Sequence, residues 1–283
     1  MIRQPLDSDL PALIGLWQEA FGDSEEEAAF YFRQRHQHQN MLVWQEGKQL
    51  AGMLSMLPLL LQSHAKSYRA RYIFAVATAR SHRGQGISTR LLEAAHQAIE
   101  KEGGMASVLV PAEPSLFDYY AKRGYHTAFM IDQLEINGED LLGQDVQGQA
   151  MPCSAFEYAA LRDKAFANSS LYARWDEAAL RYISQGVTAA GGAMLRLEFE
   201  GLSAAAVLEP RANLLRVVEL VCAPEVWHRA LALIHQEYGA QRYQLRLPQG
   251  SLGPGRPFGM IRWLADKPDL AAGSPPYLAF AKD

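Results

Sequence analysis

The chain has little cysteine. Cys153 and Cys222 are the only two, with no C-x-x-C pair and no histidines at zinc-site spacing. That pattern excludes a disulfide scaffold and carries no metal motif, so reduced thiols in a cytoplasm and no bound metal are expected. Basic charge is not in excess either. With 27 Lys and Arg against 31 Asp and Glu the net charge is −4, which gives no general positive field for nucleic acid or an anionic membrane surface. Long apolar runs are absent: the run Met56 to Leu61 is too short to span a bilayer. The opening MIRQPLDSDLPALIG lacks the basic stretch and uninterrupted apolar core of a secretory signal. What the chain does have is 283 residues, enough for a large core in one or two domains.

The stretch that organises the rest runs from Tyr72 to Gly103, YIFAVATARSHRGQGISTRLLEAAHQAIEKEG. Residues 72 to 79 are uncharged and rich in β-branched, aromatic or small side chains, as a buried strand requires, and the run stops at Arg80-Ser81-His82-Arg83. From Ile87 onward Leu91, Leu92, Ala95 and Ile99 recur at helical spacing, and Gly103-Gly104 closes the helix. Gly84 and Gly86 therefore sit where a strand delivers the chain to a helix N-terminus. The first N–H groups of a helix lack internal partners and carry the positive end of its dipole, so anions bind there. Glycines let the backbone approach a phosphate, and Arg80, Arg83 and Arg90 add positive charge. A dinucleotide fingerprint would need glycine at position 89, where Thr89 stands, and a P-loop would need Lys-Ser/Thr where Ile87-Ser88 stands. A tight turn that merely joins strand to helix is the competing reading.

The run V-A-T-x-x-x-x-R-G-x-G-I-S-x-x-L-L resembles motif A of the GNAT superfamily of acyl-CoA-dependent N-acyltransferases, whose R/Q-x-x-G-x-G/A loop holds the CoA pyrophosphate. One position departs: three residues before Gly84 stands Ser81 instead of Gln or Arg. Downstream, LFDYYAKRGY, Leu116 to Tyr125, resembles the family's motif B, with Tyr120 in the tyrosine position. The resemblance implies acetyl-CoA as donor, held by Arg83, Gly84, Gln85, Gly86, Ile87, Ser88 and Thr89. It also implies a splayed strand at Val76, Ala77 and Thr78 that offers N–H groups to the pantetheine arm and the oxyanion, and Tyr120 as general acid toward the leaving thiolate.

The order of elements agrees. Asp7 or Ser8 caps a first helix through Phe21, Ser24 and Glu27 form a capping box for a second, and Met41 to Gln45 with Leu50 to Leu61 read as a hairpin. The motif A strand, its helix, a strand at Ser107 to Val110, the motif B helix and closing strands within Tyr125 to Ile136 complete a GNAT-like domain over residues 1–137. Residues 138–152, Gly/Gln-rich and aperiodic, read as a linker. Residues 153–283 then repeat the pattern: a helix at Arg174 to Gln185, strand-turn-strand at Met194 to Val207, a strand at Leu214 to Cys222, a helix at Pro224 to Tyr238, and strands at Gln241 to Leu247 and Gly259 to Leu264. Only Ala223 separates the third strand from its helix, so the second half has no phosphate loop. The expected fold is α/β with a mixed sheet, two tandem GNAT-like units of which the second is degenerate. This organisation resembles the Eis-like acetyltransferases without their third, sterol-carrier-like domain, for which 283 residues leave no room.

No residue is singled out as general base. Glu113, Glu26, His82 and the terminal Asp283 are candidates, the last because Eis-like enzymes bring a C-terminal carboxylate into the site, and an amine deprotonated through water needs none. The expected activity is transfer of acetyl from acetyl-CoA to a primary amine of a small molecule or protein. A non-catalytic acetyl-CoA sensor or scaffold is the alternative, and homo-oligomerisation stays open. The acceptor is not encoded in any spacing pattern.

Overall fold

The computed structural model describes residues 1–143 and 145–280, and none of their helices is long and apolar enough to cross a membrane. In chain order the elements are β1 (Ile2–Arg3), α1 (Leu10–Phe21), α2 (Glu25–Gln34), β2 (Met41–Glu46), β3 (Gln49–Ser63), β4 (Lys66–Thr78), α3 (Ile87–Lys101), β5 (Ala106–Leu109), α4 (Ser115–Ala121) and β6 (His126–Asn137). There follow β7 (Gly148–Pro152), α5 (Ala155–Phe166), β8 (Tyr172–Arg174), α6 (Glu177–Ala189), β9 (Ala193–Phe199), β10 (Leu202–Arg211), β11 (Leu214–Val221), α7 (Trp227–Tyr238), β12 (Arg242–Pro248) and β13 (Arg256–Trp263). The chain forms two compact units. The first comprises Met1–Leu60, Tyr68–His126 and Met260–Pro268; the second comprises Leu61–Ser67, Thr127–Gly259 and the residues from Asp269.

In the first unit the strand order is β1-β2-β3-β4-β5-β13. α1 starts at Leu10 after a 3-10 turn at Asp7–Asp9, later than the expected cap at Asp7 or Ser8, because Asp9 is engaged with Arg3 and accepts from the Leu6 N–H at 2.7 Å. α2 begins as expected: the Glu27 N–H donates to Ser24 Oγ at 3.2 Å and the Ser24 N–H donates to Glu27 Oε2 at 2.9 Å. α3 buries Ile87, Leu91, Leu92, Ala95 and Ile99, the stripe read from the sequence, against Leu54, Ile73, Leu109 and Met260.

The second unit has the order β6-β12-β11-β10-β9-β7. Here β9, β10 and β11 are antiparallel neighbours and β11 runs parallel to β12, so the expected repeat of strand, strand, strand, helix, strand is present. α7 buries Leu231, Leu233 and Ile234 in a core with Leu197, Phe199, Val217, Tyr243 and Leu245. α5 contributes a fully buried ion pair. Arg162 reaches Glu219 at 2.9 Å, while the Tyr158 hydroxyl donates to the same carboxylate at 2.8 Å. Arg162 also donates to the Leu278 carbonyl at 3.4 Å, as does Trp175 Nε1 at 3.1 Å, which ties the C-terminal segment into this unit.

Three expectations change. The strand His126–Asn137 does not close the first unit: it pairs antiparallel with β12, from Ile131 opposite Pro248 to Asn137 opposite Arg242. The strand expected to close the second half instead lies along β5, with Met260 opposite Leu109 and Trp263 opposite Ala106. Each half thus lends its last strand to the other unit, and the division at 137 and 153 follows chain order where the compact units do not. Residues 138–152 are not a free linker. They form a turn at Gly138–Leu141 and an edge strand that pairs with β9 from Gly148 opposite Phe199 to Pro152 opposite Leu195. An edge strand needs only its backbone donors and acceptors, so its polar composition conceals it.

The loan of β13 is secured by a buried polar chain. Arg262 Nη1 lies 3.1 Å from His96 Nδ1 and donates to the Arg123 carbonyl at 2.9 Å. A guanidinium only donates, so Nδ1 accepts and the neutral imidazole carries its proton on Nε2, which donates to the Tyr125 hydroxyl at 2.9 Å; that hydroxyl meets Ser107 Oγ at 2.5 Å. Burial, aided by the Arg262 charge, pushes His96 from the ordinary 6.5 down to about 4.

Two measurements test this. A chain ending at residue 137 leaves β5 without its antiparallel partner, and it should show no cooperative thermal transition by circular dichroism; a sharp transition would mean that the first half closes by itself. Between pH 6.5 and 4 the unfolded chain protonates at His96 while the folded chain does not, so stability is lost as pH falls through that window. In denaturant titrations His96→Gln should flatten this loss by about 3 kcal/mol at most, and an unchanged pH dependence would place the acid sensitivity elsewhere.

Candidate active site

The end of β4 is where the first unit opens. Parallel pairing with β5 covers only Ala70 to Tyr72, the last pair being Tyr72 with Val108, although β4 continues to Thr78. In this overhang Ala75 is buried with φ +50, left-handed for a residue with a Cβ, a strain of about 1–2 kcal/mol. The kink re-aims the side chains. Ile73 and Val76, three apart and therefore on opposite faces of a regular strand, both pack against the α3 core. Phe74 turns the other way, with its ring 5.8 Å from Trp17 and 5.5 Å from Tyr31. Thr78 Oγ1 is buried and has no hydrogen-bond partner among the described residues.

From Thr78 the chain enters a 3-10 turn at Arg80–His82, held by the Arg80 N–H on the Glu19 carboxylate, and then reaches Gly84 and Gly86. Both glycines are left-handed, at φ +78 and +76, and a Cβ on either would meet nothing within 4 Å, so open space lies in front of them. Gly86 is the N-cap of α3, no side chain caps that helix, and no acidic residue occupies its first turn. The N–H groups of Ile87, Ser88 and Thr89 thus keep the unpartnered, electropositive character of a helix start. At Gly52 a Cβ would stand 2.8 Å from Ile87 Cγ2 and 3.2 Å from the Ala77 carbonyl, so glycine there lets β3, the end of β4 and the start of α3 converge. The donor set, oriented N–H groups flanked by arginines across open space, fits a diphosphate.

α4 packs beside this helix start. Tyr120 is 8% exposed, its ring 5.1 Å from Tyr119 and 5.8 Å from Tyr125. Burial, then the neighbouring Tyr119, pushes its phenol up to about 12, which keeps it protonated at neutral pH and suits a proton donor. Its hydroxyl makes no hydrogen bond to any described residue. Tyr119 instead reaches the helix start, with its hydroxyl 2.7 Å from Ser88 Oγ.

The expected donor-site residues therefore lie on one continuous path. Val76, Ala77 and Thr78 end β4, Arg83, Gly84, Gln85 and Gly86 are exposed on the loop, and Ile87, Ser88 and Thr89 form the first turn of α3. Ile87 points into the core, so it contributes through its backbone. Ser88 and Thr89 spend their hydroxyls on Tyr119 and Arg123. Asp283 lies outside the described residues. Among the other base candidates, Glu26 and Glu113 are exposed, and His82 Nδ1 lies 2.8 Å from Ser81 Oγ. Sequence reasoning missed the contact of Arg123 with Thr89, as well as the packed aromatic cluster of Trp17, Tyr31 and Phe74 behind the strand. The cluster comes from three separate elements and has no linear pattern; for Arg123 the only signal is its place next to Gly124 in motif B.

Residues 1–128 match the family model of the acetyltransferase (GNAT) domain. No curated protein sequence matches the chain. Among solved structures, a GCN5-related N-acetyltransferase from Anabaena variabilis has a TM-score of 0.76 at 17% identity over 94% of this chain and 73% of its own. Another from Kribbella flavida has 0.71 at 16% over 93% and 70%. Eis1 from Mycobacterium abscessus has 0.69 at 15% over 93% and 74%. At these identities the likeness is one of fold, and it agrees with the mixed α/β architecture above. The open, uncapped helix start beyond a kinked strand thus lies within the residues that match the GNAT acetyltransferase domain model, in a chain that takes the fold of the solved GNAT N-acyltransferases.

Proposed function

We propose that the protein is an acetyl-CoA-dependent N-acetyltransferase that acts in the cytoplasm on a primary amine of a small molecule or protein. The observation that carries the reading is the uncapped start of α3 facing open space at Gly84 and Gly86, a made anion cradle at the end of a strand that has parted from its neighbour. Loop N–H groups with Arg83 would hold the diphosphate. The unpaired edge of Val76–Thr78 would align the pantetheine arm and present N–H groups to developing oxyanion charge. Acetyl-CoA supplies the activated thioester. The chain's part is to place a neutral amine against it and to hold a proton on Tyr120 Oη for the departing sulfur. The second half is read as a degenerate GNAT-like unit: α7 follows Ala223 and a turn containing Glu225, with no glycine pair and no arginine cluster.

Calorimetric titration with acetyl-CoA and CoA should give binding that is lost in the Gly84→Asp, Gly86→Asp variant, since a carboxylate would occupy the cradle and repel a diphosphate. No binding by the intact protein would end the reading. Tyr120→Phe should keep CoA affinity and lose roughly 10²–10⁴-fold in turnover, the usual scale of general acid catalysis. Turnover that is absent from the intact protein while CoA affinity is high would favour a non-catalytic acyl-CoA-binding module.

A further inference from the structure

We propose that Glu19, on α1, is a positioning residue for the acyl-CoA donor: it holds the entry of the glycine loop so that the N–H groups at the start of α3 are placed before a diphosphate arrives. The inference rests on the acyl-CoA reading above and names a residue which that reading does not contain.

The glycines themselves are held by little packing. A Cβ at Gly84 or Gly86 would meet nothing within 4 Å, so no neighbouring element presses on the backbone there. Their placement is set at the two ends of the loop, by α3 on one side and by residues 79–83 on the other. At the entry the Ala79 N–H donates to the Ala51 carbonyl of β3 at 3.0 Å, and the next N–H, that of Arg80, is taken by the Glu19 carboxylate. The 3-10 turn then closes on itself, with the His82 N–H on the Ala79 carbonyl at 2.9 Å. His82 Nε2 approaches the Glu46 carboxylate only to 3.6 Å, beyond hydrogen-bond reach. Glu19 thus fixes the loop backbone from a helix 61 positions away in sequence.

Local physics disfavours a carboxylate at this position. Glu19 lies in the last turn of α1, where the helix dipole is negative and a cation would be the stabilising choice. No described cation pairs with it, and it contacts a loop that faces an anion. What the carboxylate obtains is the Arg80 N–H, in a charge-assisted bond stronger than a neutral acceptor would make. The same helix also meets the strand before its kink: Trp17, two residues ahead of Glu19, has its ring 5.8 Å from Phe74, which precedes the left-handed Ala75. α1 therefore braces the β4 overhang at both ends, and Glu19 is the brace next to the donor loop. A loop ordered in advance loses less entropy when its ligand binds.

Calorimetric dissociation constants for acetyl-CoA, together with amide exchange at Arg80 to Gly86 read by NMR in the ligand-free protein, test the proposal with the intact protein, Glu19→Gln and Glu19→Ala, each checked for a cooperative thermal transition. Glu19→Ala leaves the Arg80 N–H without its acceptor, so the loop amides should exchange faster and acetyl-CoA should bind roughly tenfold more weakly, the scale of one charge-assisted hydrogen bond. Glu19→Gln keeps a carbonyl acceptor and removes a negative charge near the diphosphate, so its affinity should match or exceed that of the intact protein. Unchanged affinity in Glu19→Ala, equal weakening in the two variants, or weakening without faster exchange would overturn the assignment, and so would loss of the thermal transition in Glu19→Ala, which would place Glu19 in the fold. Failure of the intact protein to bind acetyl-CoA would be a different result, the failure of the acyl-CoA reading itself, and exchange at Arg80 would still report whether Glu19 holds the loop.

Discussion

The antiparallel pairing of Met260–Trp263 with Ala106–Leu109 is the constraint on which the candidate site depends. β5 is short and buried, and pairing gives its backbone groups partners on both sides. The strand that supplies them comes from the far end of the chain. It brings Arg262, which holds the Arg123 carbonyl and the His96 ring, and through His96 the Tyr125 hydroxyl. Tyr125 packs edge-on against Tyr120, so the tyrosine expected to handle a proton is set in place by residues more than a hundred positions away. The second unit uses the same device in reverse, with β6 on β12.

Within the first unit, local stability is given up where the chemistry would occur. Ala75 adopts a conformation that its Cβ disfavours, β4 runs past its partner, Thr78 Oγ1 is left without a hydrogen bond, and α3 starts without a cap. Each feature costs on the order of 1 kcal/mol or more. They fall on one stretch of about a dozen residues, and a diphosphate-bearing thioester would complement the open strand edge and the helix start together.

The second unit shows the same strand pattern without a glycine pair or an arginine cluster ahead of its helix. α7 follows a turn containing Glu225, and its polar investment lies elsewhere, in the buried Arg162 and Glu219 pair with Tyr158 and the Leu278 carbonyl. Replacing one member of such a pair leaves an uncompensated charge in the interior. That pair anchors a C-terminal segment whose described residues, 264–280, form no helix or extended strand.

Much of the local structure was legible in the sequence because it is written in local physics. Helical spacing marked α3, the capping box of Ser24 and Glu27 marked α2, and two glycines between a strand and a helix marked the turn that opens α3. The repeated order of elements was readable for the same reason, since each element follows from its own periodicity. Strand partnership was not, because β6 and β13 are equally apolar to either neighbour and nothing in their alternation says which edge they fill. The tie of Arg123 to Thr89 and the cluster of Trp17, Tyr31 and Phe74 escaped notice because they are contacts between separate elements. The sequence by itself determined most of the strands and helices and the glycine turn that opens α3, for these depend on neighbours within a few residues. Only the tertiary structure decided which strand closes which unit and which side chains pack beside the start of α3, for these depend on hydrogen bonds and contacts between residues far apart in the chain.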